Sequence, residues 1–112
     1  MSAEVRRAET ENLMIARTWQ GVVEAGKAEK FLEHLKRTGL PDYKATEGNR
    51  GVYVLRRVEG DRAHFLLLTF WDSIEAIRRF AGEDAERARY YPADEEYLLE
   101  KEPRATHYEV LA

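Results

Sequence analysis

The stretch Ala63–Trp71 constrains this chain more than any other, because it is apolar on both sides of an extended strand. Side chains alternate along such a strand, so Phe65, Leu67 and Thr69 share one side and Leu66, Leu68 and Phe70 the other. A strand of this kind needs cover on both faces. Leaving three large apolar side chains in water forfeits about 1.5–3 kcal/mol for each.

The rest of the chain supplies cover for one face. Leu13–Val23 is rich in apolar and β-forming residues and reads as a first strand, with Gly21 marking a bulge or the strand's exit. Ala28, Phe31, Leu32 and Leu35 recur at i, i+3, i+4 and i+7, which predicts a helix over Gly26–Thr38. Gly39 and Pro41 supply its stop signal. Gly51–Val58 is a second strand, and Gly60-Asp61 suits a tight hairpin turn into Ala63–Trp71. Asp72 or Ser73 caps a second helix with Ile74, Ile77, Phe80 and Ala81 as its stripe and Gly82 as its end. Glu83–Arg89 reads as a further short helical piece, Ala93–Leu99 as a single turn, and Thr106–Leu111 as the last strand.

The order strand, helix, strand, strand, helix, strand gives an α+β, ferredoxin-like βαββαβ fold. Its four-stranded antiparallel sheet carries both helices on one face. The opposite face stays bare yet apolar, so a second copy of the chain is expected to seal it as a homodimer.

Composition narrows the function classes. The chain has 112 residues, enough for one domain, expected over residues 13–112 behind a flexible tail at 1–12. Its formal net charge of −3 lacks the basic footprint of a nucleic-acid binder. With no cysteine there is no disulfide, thiolate metal site or Cys nucleophile. No apolar run is long enough to cross a bilayer, and the N-terminus lacks a secretory pattern, so a cytoplasmic location is expected. Residues 83–104 hold eight acids against four bases, a net −4 that reads as a solvated face. No phosphate loop or Gly-x-Ser-x-Gly elbow occurs.

Few side chains have the chemistry of a site. His34, His64 and His107 lack metal-site spacing, so no metal is expected. His34 reads as a helix-surface residue. His107 is the candidate general base, with a rim or interface histidine as the alternative. Tyr90 and Tyr91 can exchange a proton or stack on a ring, or simply pack their loop. Arg56 and Arg57 read as solvent ion-pair partners.

The segment Thr69-Phe70-Trp71-Asp72-Ser73-Ile74-Glu75-Ala76-Ile77 resembles the strand-to-helix junction of the antibiotic biosynthesis monooxygenase superfamily. Met14–Trp19 and Thr106–Val110 are similar to that family's first and last strands. The resemblance implies a dimeric α+β barrel with a pocket between sheet and helices. It places Trp71 and Thr18 in that pocket, with Arg17 and Trp19 turned toward the dimer or a rim. It implies either a cofactor-independent monooxygenase acting on a small aromatic or quinol-like substrate, or a planar-ligand binder, haem included. In the monooxygenase reading Trp71, Tyr91 and His107 are the catalytic candidates; Thr18, Phe65, Leu67, Phe80 and Tyr90 hold the substrate. Two positions depart from the haem-degrading branch: Ala88-Arg89-Tyr90-Tyr91 stands where that branch has an iron-binding histidine, and Thr18 where it has an asparagine. A domain whose pocket is closed by its own aromatics, without a small-molecule role, is the third expectation.

Overall fold

A computed structural model describes residues 13–112 of the chain. The tail expected at 1–12 lies outside the described residues.

Five strands form one antiparallel sheet: β1 (Ile15–Glu24), β2 (Asn49–Glu59), β3 (Arg62–Trp71), β4 (Leu98–Lys101) and β5 (Thr106–Glu109). Their order is β2–β3–β1–β4, with β5 also paired to β1. β1 therefore lies at the centre. The helices are α1 (Ala28–Arg37), α2 (Gly39–Ala45) and α3 (Ile74–Ala81). The architecture is the α+β, ferredoxin-like arrangement that the order of elements implies.

Residue pairing sorts the side chains by face. Arg17 lies opposite Thr69 and Trp19 opposite Leu67, so Ile15, Arg17, Trp19 and Val23 join Phe65, Leu67, Thr69 and Trp71 under the helices. Phe31 and Leu35 of α1, Tyr43 of α2, and Ile77 and Phe80 of α3 close over them as the core. Leu66, Leu68 and Phe70 turn to the opposite, helix-free face, as the alternation predicts. Their neighbours Tyr53 and Leu55 on β2 and Tyr108 on β5 are exposed there at 57%, 43% and 56%.

Local chemistry sets the boundaries. Glu59 pairs with Arg62 across a turn in which Gly60 has φ +61°, a left-handed value that glycine adopts freely. Ser73 rather than Asp72 caps α3, its Oγ accepting from Ala76 N at 3.1 Å. Arg56 and Arg57 pair at the surface with Glu29 and Glu59.

Several local expectations are corrected. Gly39 and Pro41 do not stop the helical run; after a break at Thr38 they open α2, whose first turn tolerates proline because those N–H groups lack helical partners. Gly21 does not end β1. It sits mid-strand, where the Trp19 indole and Leu98 leave no room for a Cβ. Glu83–Arg89 is not helical. It turns at Asp84 and then runs extended beside the Pro103–Ala105 connection, with Ala88 N donating to Pro103 O at 3.2 Å and Ala105 N to Glu86 O at 2.7 Å. The turn in Ala93–Leu99 is a short 3₁₀ segment, Pro92–Glu96, followed by β4, whose register on β1 shifts between Val22 and Val23. β4 and β5 thus form one interrupted edge strand. No helix among the described residues is long and apolar enough to cross a membrane.

Candidate active site

The sheet's covered face, α1, α2, α3 and the strap from Ala88 to Asp94 enclose a cavity of about 30 Å³, room for roughly two waters. Its floor is Arg17, Trp19 and Leu67, and its aromatic walls are Tyr43, Phe80, Tyr90 and Tyr91.

Arg17 is the unusual member. It is 2% exposed, and its Nη2 donates to the Arg87 carbonyl at 2.9 Å. Among the described residues its buried Nε has no partner, and no carboxylate pairs with it. Burial pulls the guanidinium below its ordinary value, while the Tyr43 hydroxyl beside it acts the other way. Arginine nevertheless remains a cation at neutral pH. A buried cation set among aromatic rings can stabilise an oxyanion brought beside it.

Asp94 brings a carboxylate to the same cavity. Its Oδ1 lies 2.5 Å from His34 Nε2, and its Oδ2 accepts from Tyr91 N at 2.7 Å. Both side chains are buried. A carboxylate only accepts, so Nε2 donates in this pair. His34 is therefore not the surface residue expected; it sits three positions beyond Phe31, at the edge of the apolar stripe, and faces inward.

The strap is fastened at three further points. The Tyr91 hydroxyl donates to the Asp42 carboxylate. Arg89 Nη2 lies 3.3 Å from the same carboxylate, and its guanidinium stacks over Phe80 and Tyr91. Trp19 Nε1 lies 2.9 Å from the Tyr90 hydroxyl and 3.0 Å from the Glu102 carbonyl, to which that hydroxyl also donates. Burial, with Asp42 assisting, raises Tyr91 well above the ordinary phenol range; burial raises Tyr43 and Tyr90 also. All three remain phenols at neutral pH; Tyr90 and Tyr91 donate to the Glu102 carbonyl and the Asp42 carboxylate, while the Tyr43 hydroxyl lies beside the Arg17 guanidinium.

The sequence-derived candidates divide. Leu67, Phe80, Tyr90 and Tyr91 line the cavity. Thr18 does not: its neighbours Arg17 and Trp19 take the covered face, and alternation sends Thr18 to the open one. Phe65 packs edge-on against Phe31 at 5.0 Å, away from the cavity. Trp71 is fully buried one layer back, touching Tyr43 and Phe80, with its Nε1 donating to Thr69 Oγ1 at 2.8 Å. His107 stands opposite Arg17 on the covered face but does not line the cavity. Its Nε2 is buried without a partner among the described residues, and burial and then the Arg17 charge lower its pKa. Arg17, Tyr43, Arg89 and the His34–Asp94 pair complete the site and were not among the candidates.

Residues 14–88 match the antibiotic biosynthesis monooxygenase family, and the chain belongs to it. Solved structures share the fold. A Bacillus cereus protein provisionally named an antibiotic biosynthesis monooxygenase is 19% identical, with a TM-score of 0.64 over 89% of this chain and 95% of its own. A conserved protein from Methanosarcina mazei is 19% identical, with a TM-score of 0.64 over 90% and 96%. A haem-degrading protein from Mycobacterium tuberculosis, free of haem, is 20% identical, with a TM-score of 0.56 over 90% and 96%. Among curated proteins no sequence matches.

Haem does not fit the residues present here. The lining contains no histidine, and burial holds Tyr43 and Tyr91 as phenols, so it presents no ready axial ligand for a haem iron. Among the described residues no group of three or more acidic or histidine side chains could hold a metal ion.

Proposed function

We propose that the cavity is the active site of a cofactor-independent monooxygenase acting on a small electron-rich aromatic, of the anthrone or hydroquinone type. The observation that carries this reading is Arg17: a buried guanidinium that lines a cavity of aromatic walls and meets no carboxylate among the described residues. It offers a place for a phenolate or enolate oxygen.

In this reading Asp94, steadied by His34, accepts the proton from the substrate carbon, and Arg17 stabilises the resulting anion. The anion reduces dioxygen and forms a carbon–oxygen bond. Loss of water from that peroxide leaves a carbonyl, so in an anthrone-type substrate one methylene and one dioxygen become one carbonyl and one water. The electrons come from the substrate, and no cofactor takes part. Tyr43, Phe80 and Tyr91 hold the ring and exclude water, and Trp71 supports two of them from behind. A ring is larger than this space, so its admission requires the strap to move away from Asp42.

The apolar open face supports pairing of two copies of the chain sheet to sheet. Tyr53, Leu55, Leu66, Leu68 and Phe70 would be sealed at the seam.

An oxygen electrode tests the activity. Uptake of one dioxygen per substrate with an anthrone- or hydroquinone-type compound is expected, reduced about 10²–10³-fold in Arg17→Gln. No uptake above buffer across a panel of such compounds removes the reading.

A further inference from the structure

Three tyrosines line the cavity, and they differ in where their hydroxyl protons go. Tyr90 donates to the Glu102 carbonyl and Tyr91 to the Asp42 carboxylate. The Tyr43 hydroxyl lies beside the Arg17 guanidinium, with Arg89 and Asp94 also near enough to act on it. Those three groups line the same cavity, which puts the hydroxyl at its wall. A guanidinium has only donors, so toward Arg17 the hydroxyl can only accept. The Asp94 oxygens accept from His34 Nε2 and from Tyr91 N, not from Tyr43. Among the described residues the Tyr43 proton therefore has no acceptor. Burial raises the pKa of this phenol, so the proton stays available for donation.

Phe80 holds the two groups side by side. The Tyr43 ring stacks on it with centroids 4.1 Å apart, and the Arg17 guanidinium lies over it at 5.8 Å. Trp71 backs the Tyr43 ring edge-on at 6.2 Å. Arg17, Trp71 and Phe80 belong to β1, β3 and α3, so these supports lie outside the strap that moves to admit a ring. A fixed donor in a water-excluded site stabilises an anion without first having to reorganise.

We infer that Tyr43 is a second oxyanion donor: its hydroxyl and the Arg17 guanidinium together take the oxygen of a phenolate or enolate, so the site binds phenols in their ionised form. This rests on the proposed reading of the cavity as an aromatic-binding site. In the proposed reaction the pair holds the substrate oxygen while Asp94 carries the proton taken from carbon. Tyr43 is then a catalytic residue as well as a wall.

The test uses two probes with the full chain: 4-nitrophenol, whose visible absorbance reports its ionisation, and 4-nitroanisole, which has the same ring and no acidic proton. Bound nitrophenol is expected to ionise at least about one pH unit lower than in buffer, which is a preference of about tenfold for the phenolate. Tyr43→Phe keeps the ring on Phe80 and removes only the hydroxyl. In this variant most of that lowering is expected to be lost while nitroanisole binds as it does to the parent. A lowering that is absent in the parent, or unchanged in the variant, overturns the inference. So does a variant that loses nitroanisole too, because Tyr43 then acts through packing alone. Failure of both probes to bind the parent overturns the aromatic-cavity reading itself, and so separates the two.

Discussion

His34 Nε2 meets Asp94 Oδ1 at 2.5 Å across 60 residues of sequence, and this contact fastens the cavity's strap to α1. Both groups are buried, so removing one strands the other. Asp94→Ala is expected to cost about 1–3 kcal/mol, which for a domain of this size lowers Tm by about 4–8 °C per kcal/mol. Asp94→Asn keeps the shape and most of the stability but cannot take a proton. Thermal melts and oxygen uptake on the two variants separate the roles. Full turnover by Asp94→Asn would eliminate the carboxylate as base.

Arg17 tests whether the site is maintained at the expense of stability. Its guanidinium is buried without a carboxylate among the described residues, so Arg17→Met replaces a charge unpaired there with an apolar chain of similar length. The variant is expected to melt no lower than the parent and to lose about 10²–10³-fold in turnover. A drop of several degrees with turnover retained would make Arg17 a structural residue only.

Trp71 is expected to respond in the opposite way. It is fully buried behind Tyr43 and Phe80 and does not line the cavity. Trp71→Ala opens a large core void and is expected to cost about 3–5 kcal/mol, enough to unfold much of the protein. Trp71→Phe loses the bond to Thr69 but keeps a ring in the layer, so activity is expected to stay within a few-fold of the parent. Circular dichroism and oxygen uptake on both variants check this. A folded but inactive Trp71→Phe would place the indole in the chemistry.

What the sequence made legible and what it hid have physical causes. β3 was readable because Ala63–Trp71 is a continuous apolar run of strand length beside a two-residue turn, and α1 and α3 because their apolar stripes are regular. The orientation of β1 was not. Arg17 lies between Ile15 and Trp19, and an arginine among apolar residues looks like an outward-facing position when it is in fact the buried cation of the site. Asp94 and His34 were hidden because a pair so distant in sequence has no local signal. α2 was hidden because Gly39 and Pro41 end helices as readily as they begin them. β4 was hidden because it is only four residues long and is parted from β5 by the Glu102–Ala105 connection, which pairs with residues 86–88 instead.

His107 gives a pH dependence of known sign. Burial and the Arg17 charge lower its pKa below the ordinary 6.5, against the opposing influence of Glu86 and the Ala85 backbone. The folded chain thus binds this proton less readily than the unfolded chain. The stability that follows from keeping His107 neutral is present above 6.5 and is lost as pH falls from there toward the folded pKa. Urea midpoints at pH 8 and pH 5.5 (about one unit or more either side of that value) are expected to fall further in the parent than in His107→Gln. Equal falls would mean that His107 titrates as it does in the unfolded chain.

The open sheet face gives the last expectation. Leu66 and Leu68 point away from the helices beside exposed Tyr53 and Leu55, and Tyr53 meets Phe70 edge-on at 6.1 Å. Sealing such side chains against a second copy contributes about 1.5–3 kcal/mol for each one fully buried, and the seam is symmetric, so each residue acts twice. Leu68→Lys places two ammonium groups at the centre of that seam, where neither has a partner. Its effect on the single chain is small, because the helix-facing core contains Leu67 and Thr69 but not Leu68. Sedimentation at micromolar concentration is expected to show a particle of twice 13.0 kDa for the parent and a single folded chain for the variant. A parent that sediments as one chain would leave the apolar face without a second copy to cover it.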